Sequence, residues 1–170
     1  VLAAENEHRE VINRLLKHGV DIDISLRVAS KYGRNTAVNT LLDHGANIDA
    51  QDQKGYTALM LASSNGDDTI VKTLLHRGAE VAPVNETAYR DTALMYASAR
   101  GHDAVVNTLI RYQADVNAMN ASNVTSLILA AQNNHPAVVH TLLNNSADIN
   151  IRDNNHFTAL AYASQNGHLA

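Results

Sequence analysis

Nine histidines and seventeen acids in 170 residues, with no cysteine, first raise the prospect of a metal or general-base centre. Zinc takes imidazole and carboxylate ligands at about 2 Å, so such a centre gathers three or more of them at one point. The spacing argues otherwise. His8, His102, His135 and His168 share one recurring slot, and His18 and His44 share a second just before a glycine. Equivalent slots in stacked helical units stand about 10 Å apart, the separation of packed helices. These histidines are read as bonding turn backbone. The paired acids Asp67 and Asp68 suit the positive end of a helix. All eight glycines fall at recurring positions, which leaves none for a phosphate-cradling loop, and no HExxH, Walker or G-x-S-x-G pattern occurs. The sequence therefore assigns no catalytic residue, metal or cofactor, and the expectation is a protein that is not an enzyme.

The elements that would position these residues repeat. Thr57-Ala58-Leu59-Met60-Leu61-Ala62 returns as Thr92-Ala93-Leu94-Met95-Tyr96-Ala97. It returns again from Thr125 and from Thr158, at steps of 35, 33 and 33 residues. A period of this size marks stacked helical hairpins, each too small to bury its own apolar face. The four threonines stand ahead of apolar-periodic stretches, where an N-cap belongs. A second helix is predicted to start near Asp67-Asp68, Asp103 and Pro136, since acids and proline suit a first turn. Pairs such as Val71 with Leu74 and Val106 with Leu109 put one apolar stripe on that helix. Gly33, Gly66, Gly101 and Gly167 follow the first helix, and Gly19, Gly45 and Gly78 follow the second. Both are places where a left-handed residue ends a helix.

These motifs resemble the ankyrin repeat, whose pattern runs G-x-T-P-L-H-x-A-A, then G-H, then V-V-x-x-L-L-x-x-G-A-D-V-N. The resemblance covers essentially the whole chain in six units, the first and last incomplete. It implies an all-α solenoid of stacked antiparallel helix pairs joined by β-hairpin-like fingers. The expected divisions are a partial repeat 1–24, repeats at about 25–50, 51–82, 83–117 and 118–150, and a partial repeat 151–170. Where the family has proline and histidine, Thr57 and Thr92 are followed by Ala-Leu-Met, which removes a helix-starting ring and a hydrogen-bonding side chain.

The resemblance also implies where a partner binds: along a concave groove made by the fingers and the exposed face of each first helix. Carried over unit by unit, that groove takes Gln53, Lys54, Tyr56 and Asn65, then Tyr89, Asp91 and Arg100. It continues through Val124, Gln132 and Asn133 to Asn155, Phe157 and Asn166, with Tyr32 near a first-helix end. Tyr96 and Tyr162 are placed instead in core-facing stretches. Aromatic side chains and arginine are the types that anchor protein interfaces. Asn117 and Asn150 close segments like those that an asparaginyl hydroxylase modifies on ankyrin repeats. The expected role is a protein- or peptide-binding scaffold, the alternative being a recruiting module of a larger enzyme.

Two irregularities stand out. Ile22 to Leu26 is seven residues shorter than Ile48 to Leu59, so either a finger is missing or residues are. Val81 to Leu94 is two residues longer than its counterpart and contains Pro83, which predicts a bulge. The net charge of −4 and scattered basic residues argue against nucleic acid, which needs a basic stripe. No apolar run approaches 18 residues, so no membrane insertion is expected of this segment. The absence of cysteine fits a reducing, cytoplasmic setting, and a monomeric array cut from a longer protein is the expectation.

Overall fold

Threonine caps set the rhythm of the chain. In a computed structural model, which describes residues 2–82 and 90–168 and the first seven of them by backbone alone, the caps form as the sequence predicts. Thr57 Oγ1 accepts from Met60 N at 3.2 Å, and Thr92, Thr125 and Thr158 each do the same three residues on at 3.3 Å. These caps open α4 (Ala58–Asn65), α6 (Ala93–Ala99), α8 (Ser126–Gln132) and α10 (Ala159–Gln165). Where the family pattern would place a histidine, Met95 turns its sulfur back to 3.5 Å from Thr92 N and restores part of the missing contact. Proline at the first turn starts α9 (Pro136–Asn144), and Asp67, accepting from Ile70 N, starts α5 (Asp68–His76). The remaining helices are α1 (Leu2–Leu16), α2 (Ile22–Lys31), α3 (Asn35–Asp43) and α7 (Asp103–Arg111).

Among the described residues the main helix contacts run between neighbours. α2, α4, α6, α8 and α10 pack in an inner row, and α1, α3, α5, α7 and α9 in an outer row. Within a unit, α2 pairs with α3, α4 with α5, α6 with α7 and α8 with α9. The core is a line of aliphatic side chains between the rows. Leu59, Ile70, Leu74, Val105, Leu109 and Leu142 are all fully buried. Leu160, in the same slot as Leu59, is 74% exposed because no described helix follows α10 to cover it.

The first unit departs from expectation. A turn was predicted at His8, but α1 runs unbroken through it. Elsewhere the residue before that slot takes a left-handed backbone, as at Gly101 (φ 75°) and Asn134 (φ 58°). Glu7 stands there in the first unit, and a glutamate side chain favours continuing the helix. The short connection is direct. Asp21 Oδ1 accepts from Asp23 N and Ile24 N, both at 2.9 Å, and so starts α2 where a finger would otherwise extend. The array has a notch there.

The fingers are turn-built, and no strand occurs among the described residues, so hairpin-like describes their course and not a ladder. Asp52 Oδ1 accepts from Lys54 N and Tyr56 N at 2.8 and 2.9 Å, with Gly55 at φ 75°. Asn120 and Asp153 repeat the turn, with Asn123 and His156 in the left-handed position. Side chains at finger bases then bridge successive units. Asp23 accepts from Asn47 N, Asp49 from Glu80 N, and Asn117 from Asp148 N, at 2.7 to 3.0 Å. Ala82 occupies the same slot without an acceptor. The bulge predicted around Pro83 lies outside the described residues.

Candidate partner-binding cleft

The histidines resolve first. His102, His135 and His168 each bring Nε2 to a carbonyl of the preceding unit's inner helix, Ser64, Ala99 and Gln132 respectively, at 3.0 to 3.2 Å. They bond backbone as predicted, but across a unit boundary and not within their own turn. The acids divide similarly. Asp67 caps its helix, whereas Asp68 accepts from Thr108 Oγ1 at 2.5 Å and Asp103 from Thr141 Oγ1 at 2.6 Å, each from the next unit. Titratable groups here serve as joints between units.

The surface feature of most interest is an open cleft of about 790 Å³ on the inner side, bounded by α2, the Asp52 turn, α4 and α6. Gln53, Lys54, Tyr56 and Arg100, four residues expected in the groove, line it together. The notch explains its width: with no finger in front of α2, Arg27, Lys31, Ile24 and Val28 face the same space. Ile24 and Val28 are large aliphatic side chains 51% and 49% exposed.

An aromatic pair forms one wall. The Tyr56 and Tyr96 rings are 5.5 Å apart and tilted by 48°. Tyr96 is half-buried, packed against the core as its core-facing stretch implies and also lining the cleft. Its hydroxyl donates to Asp91 Oδ2 at 3.3 Å, while Asp91 Oδ1 accepts from Asn120 Nδ2 at 2.8 Å. Burial, the hydrogen bond with Tyr56 and the Asp91 charge raise the Tyr96 hydroxyl far above the ordinary phenol range, so it remains a donor. Arg100 caps the end of α6 and is exposed beside this pair.

The other expected groove residues do not join this cleft. Tyr32 is 59% exposed at the end of α2, with the Lys31 ammonium 5.5 Å from its ring centre. Asn65 ends α4, and Val124 is half-buried beside its turn. Gln132 accepts His168 and Asn166 through its carbonyl, and Asn133 donates to Leu129 O. Asn155 bonds Asp153, and Phe157 stacks on Tyr162 at 5.4 Å. Tyr162, expected in a core-facing stretch, is half-buried between the core and this finger, its hydroxyl donating to Asp153 at 2.6 Å. Tyr89 lies outside the described residues. Asn117 uses both ends of its amide, accepting from Asp148 N and donating to Ser146 O, and Asn150 is exposed.

Fold and cleft define a class of protein: a solenoid of helix pairs with turn-built fingers beside its inner helices. The family described as ankyrin repeats (3 copies) matches over residues 26–120 and again over 94–170, and the chain belongs to it. No curated protein matches the chain. Ankyrin repeats are in general protein–protein interaction modules without catalysis of their own. Among the described residues no helix is long and apolar enough to cross a membrane.

Proposed function

We propose that this chain is a non-catalytic scaffold that takes a partner protein or peptide into the cleft between α2 and α6. The observation that carries this reading is the Tyr56–Tyr96 pair, half-buried and flanked by Arg100 in an open cleft. Rigid aromatics and arginine in a partly dry recess supply most of the energy of protein interfaces. The aromatic wall is also pre-positioned, because Asp52 holds the Tyr56 turn and Asp91 holds the Tyr96 hydroxyl, which lowers the ordering cost of association. The array acts as one elongated monomer in a reducing compartment.

The test is site-directed crosslinking. A photo-reactive residue replacing Ser64, on the cleft lining, should form an adduct with the partner, and the same residue at Ala104, exposed on α7, should not. Tyr56→Ala and Arg100→Ala should each weaken binding by about 1–2 kcal/mol or more, the exposed Arg100 without lowering the thermal midpoint and Tyr56 with a loss of about 0.5–1.5 kcal/mol of stability from its contact with Tyr96. Adducts formed only from Ala104 would move the site to the outer helices.

A further inference from the structure

The charge lining the cleft has the opposite sign to the chain. Overall the formal net charge is −4. The cleft is lined by Arg27, Lys31, Lys54 and Arg100 against only Asp21 and Asp52. Both carboxylates are engaged by backbone: Asp21 accepts two N–H groups of α2, and Asp52 accepts two of its own turn. The ion pairs of the described residues, Arg14–Glu10, Lys72–Asp68 and Arg77–Asp43, all involve the outer row and its ends. No described carboxylate pairs with the four cleft cations. A cleft lined by one sign of charge focuses the field and selects a partner of the other sign.

The cations are also arranged at both sides of an apolar floor. Arg27 and Lys31 lie four apart on α2 and so on one helix face. Arg100 ends α6, two helices further along the inner row, and Lys54 stands in the finger between them. Ile24, Val28 and Leu61 with the Tyr56–Tyr96 pair fill the space in between. Arg27 is steadied by donating to Ala50 O at 3.3 Å, which leaves other guanidinium N–H groups for a carboxylate. Two helix-to-helix steps of about 8–10 Å make a span of roughly 20 Å, which about six extended residues cover at ~3.3 Å each.

We propose that the occupant of this cleft is a short acidic peptide segment, carboxylates at both ends and a large apolar side chain between them. Its end carboxylates pair with Arg27 and Lys31 on one side and Arg100 on the other, and the central side chain rests on Tyr96. The proposal rests on the cleft being the binding site and adds the chemistry of the partner. The absent finger is what admits it, since a finger before α2 would stand over Arg27 and Lys31. Nucleic acid fits less well, because the chain as a whole carries a formal net charge of −4.

Selection of random hexapeptides by display on the immobilised chain tests both layers. Enriched peptides should carry two or more acids around an aromatic or aliphatic residue. In fluorescence polarisation, a labelled enriched peptide should bind at least tenfold more tightly than its copy with glutamine and asparagine for the acids. The difference should shrink in the Arg100→Gln variant, vanish when Arg27→Gln and Lys31→Gln are added, and shrink as salt is raised. Neutral or basic peptides that are lost on Tyr56→Ala would overturn the acidic partner and keep the cleft. Failure to enrich any peptide, or enrichment unaffected by Tyr56→Ala, would overturn the cleft as well. Equal competition by single-stranded DNA or phosphatidylserine vesicles would replace the peptide with an unspecific polyanion.

Discussion

Three serines sit where their hydroxyls gain nothing. Ser30, Ser63 and Ser98 occupy one slot of α2, α4 and α6, are fully buried, and find no protein partner for Oγ. The slot needs a small side chain because inner helices meet there, and Ala131 fills it in the next unit. A buried hydroxyl without a partner costs about 1–3 kcal/mol of desolvation, so Ser63→Ala and Ser98→Ala should each stabilise the fold by about 1 kcal/mol in urea melts. A lowered midpoint would mean that the hydroxyls are satisfied in solution. Asp153 is the opposite case. Burial opposes its charge, but hydrogen bonds from the Tyr162 hydroxyl and from Phe157 and Asn155 N–H outweigh it and hold the carboxyl below its ordinary range. A folded value below the unfolded one means a contribution present above about pH 4 and lost as pH falls through the folded value. Asp153→Asn should therefore cost about 1–3 kcal/mol near neutrality and almost nothing in acid. A gap independent of pH would remove the carboxylate's charge from the explanation.

Helix ends carry most of the definition at the scale of elements, and two glycines show how. Gly66 has φ 78° and a Cβ placed on it would lie 2.5 Å from the His102 ring, whereas Gly78 at φ 93° has open space. Gly78→Ala should cost only the left-handed backbone penalty of about 1–2 kcal/mol. Gly66→Ala should cost roughly 1 kcal/mol more, because the ring must leave the Ser64 carbonyl. Equal losses in thermal melts would show that the histidine bond contributes nothing. Caps and turn residues are local chemistry, which is why the helices starting at Thr57, Thr92, Thr125 and Thr158 were legible from the sequence. The unbroken α1 was not, because periodicity implied a turn that Glu7 does not support. For the cleft, Gln53, Lys54, Tyr56 and Arg100 were legible from their place in the repeat. Arg27, Lys31, Ile24 and Val28 reach it only because a finger is missing, although the seven-residue deficit was the available signal. That the core-facing Tyr96 also lines the cleft was not legible, because its slot holds Leu61 and Leu129 in other units and only stacking decides which way the ring faces. Asp91, read as a contact for a partner, accepts from the Tyr96 hydroxyl and the Asn120 amide, and Asn155 bonds Asp153 within its turn.

The whole molecule is one-dimensional: each unit touches its neighbours, and stability is close to a sum of unit and boundary contributions. The boundaries are not alike. Three carry the finger-base bond from Asp23, Asp49 or Asn117, and Ala82 leaves its own boundary without one. Ala82→Asn supplies the missing acceptor and should stabilise the array by about 0.5–1.5 kcal/mol, read as slower hydrogen exchange in α6 and α7 than in α2 and α3. Unchanged exchange would show that the bond is not formed there. That boundary is also the one bridged by Tyr56 and Tyr96, which belong to the units on either side of it. Under tension the array behaves as springs in series, and the softest spring takes the largest share of any bending. Its finger side lacks the finger-base bond at Ala82, so a change in curvature there is expected to alter the separation of the two rings. A pull on the ends would then open or narrow the aromatic wall, and occupancy of the cleft becomes a readout of load.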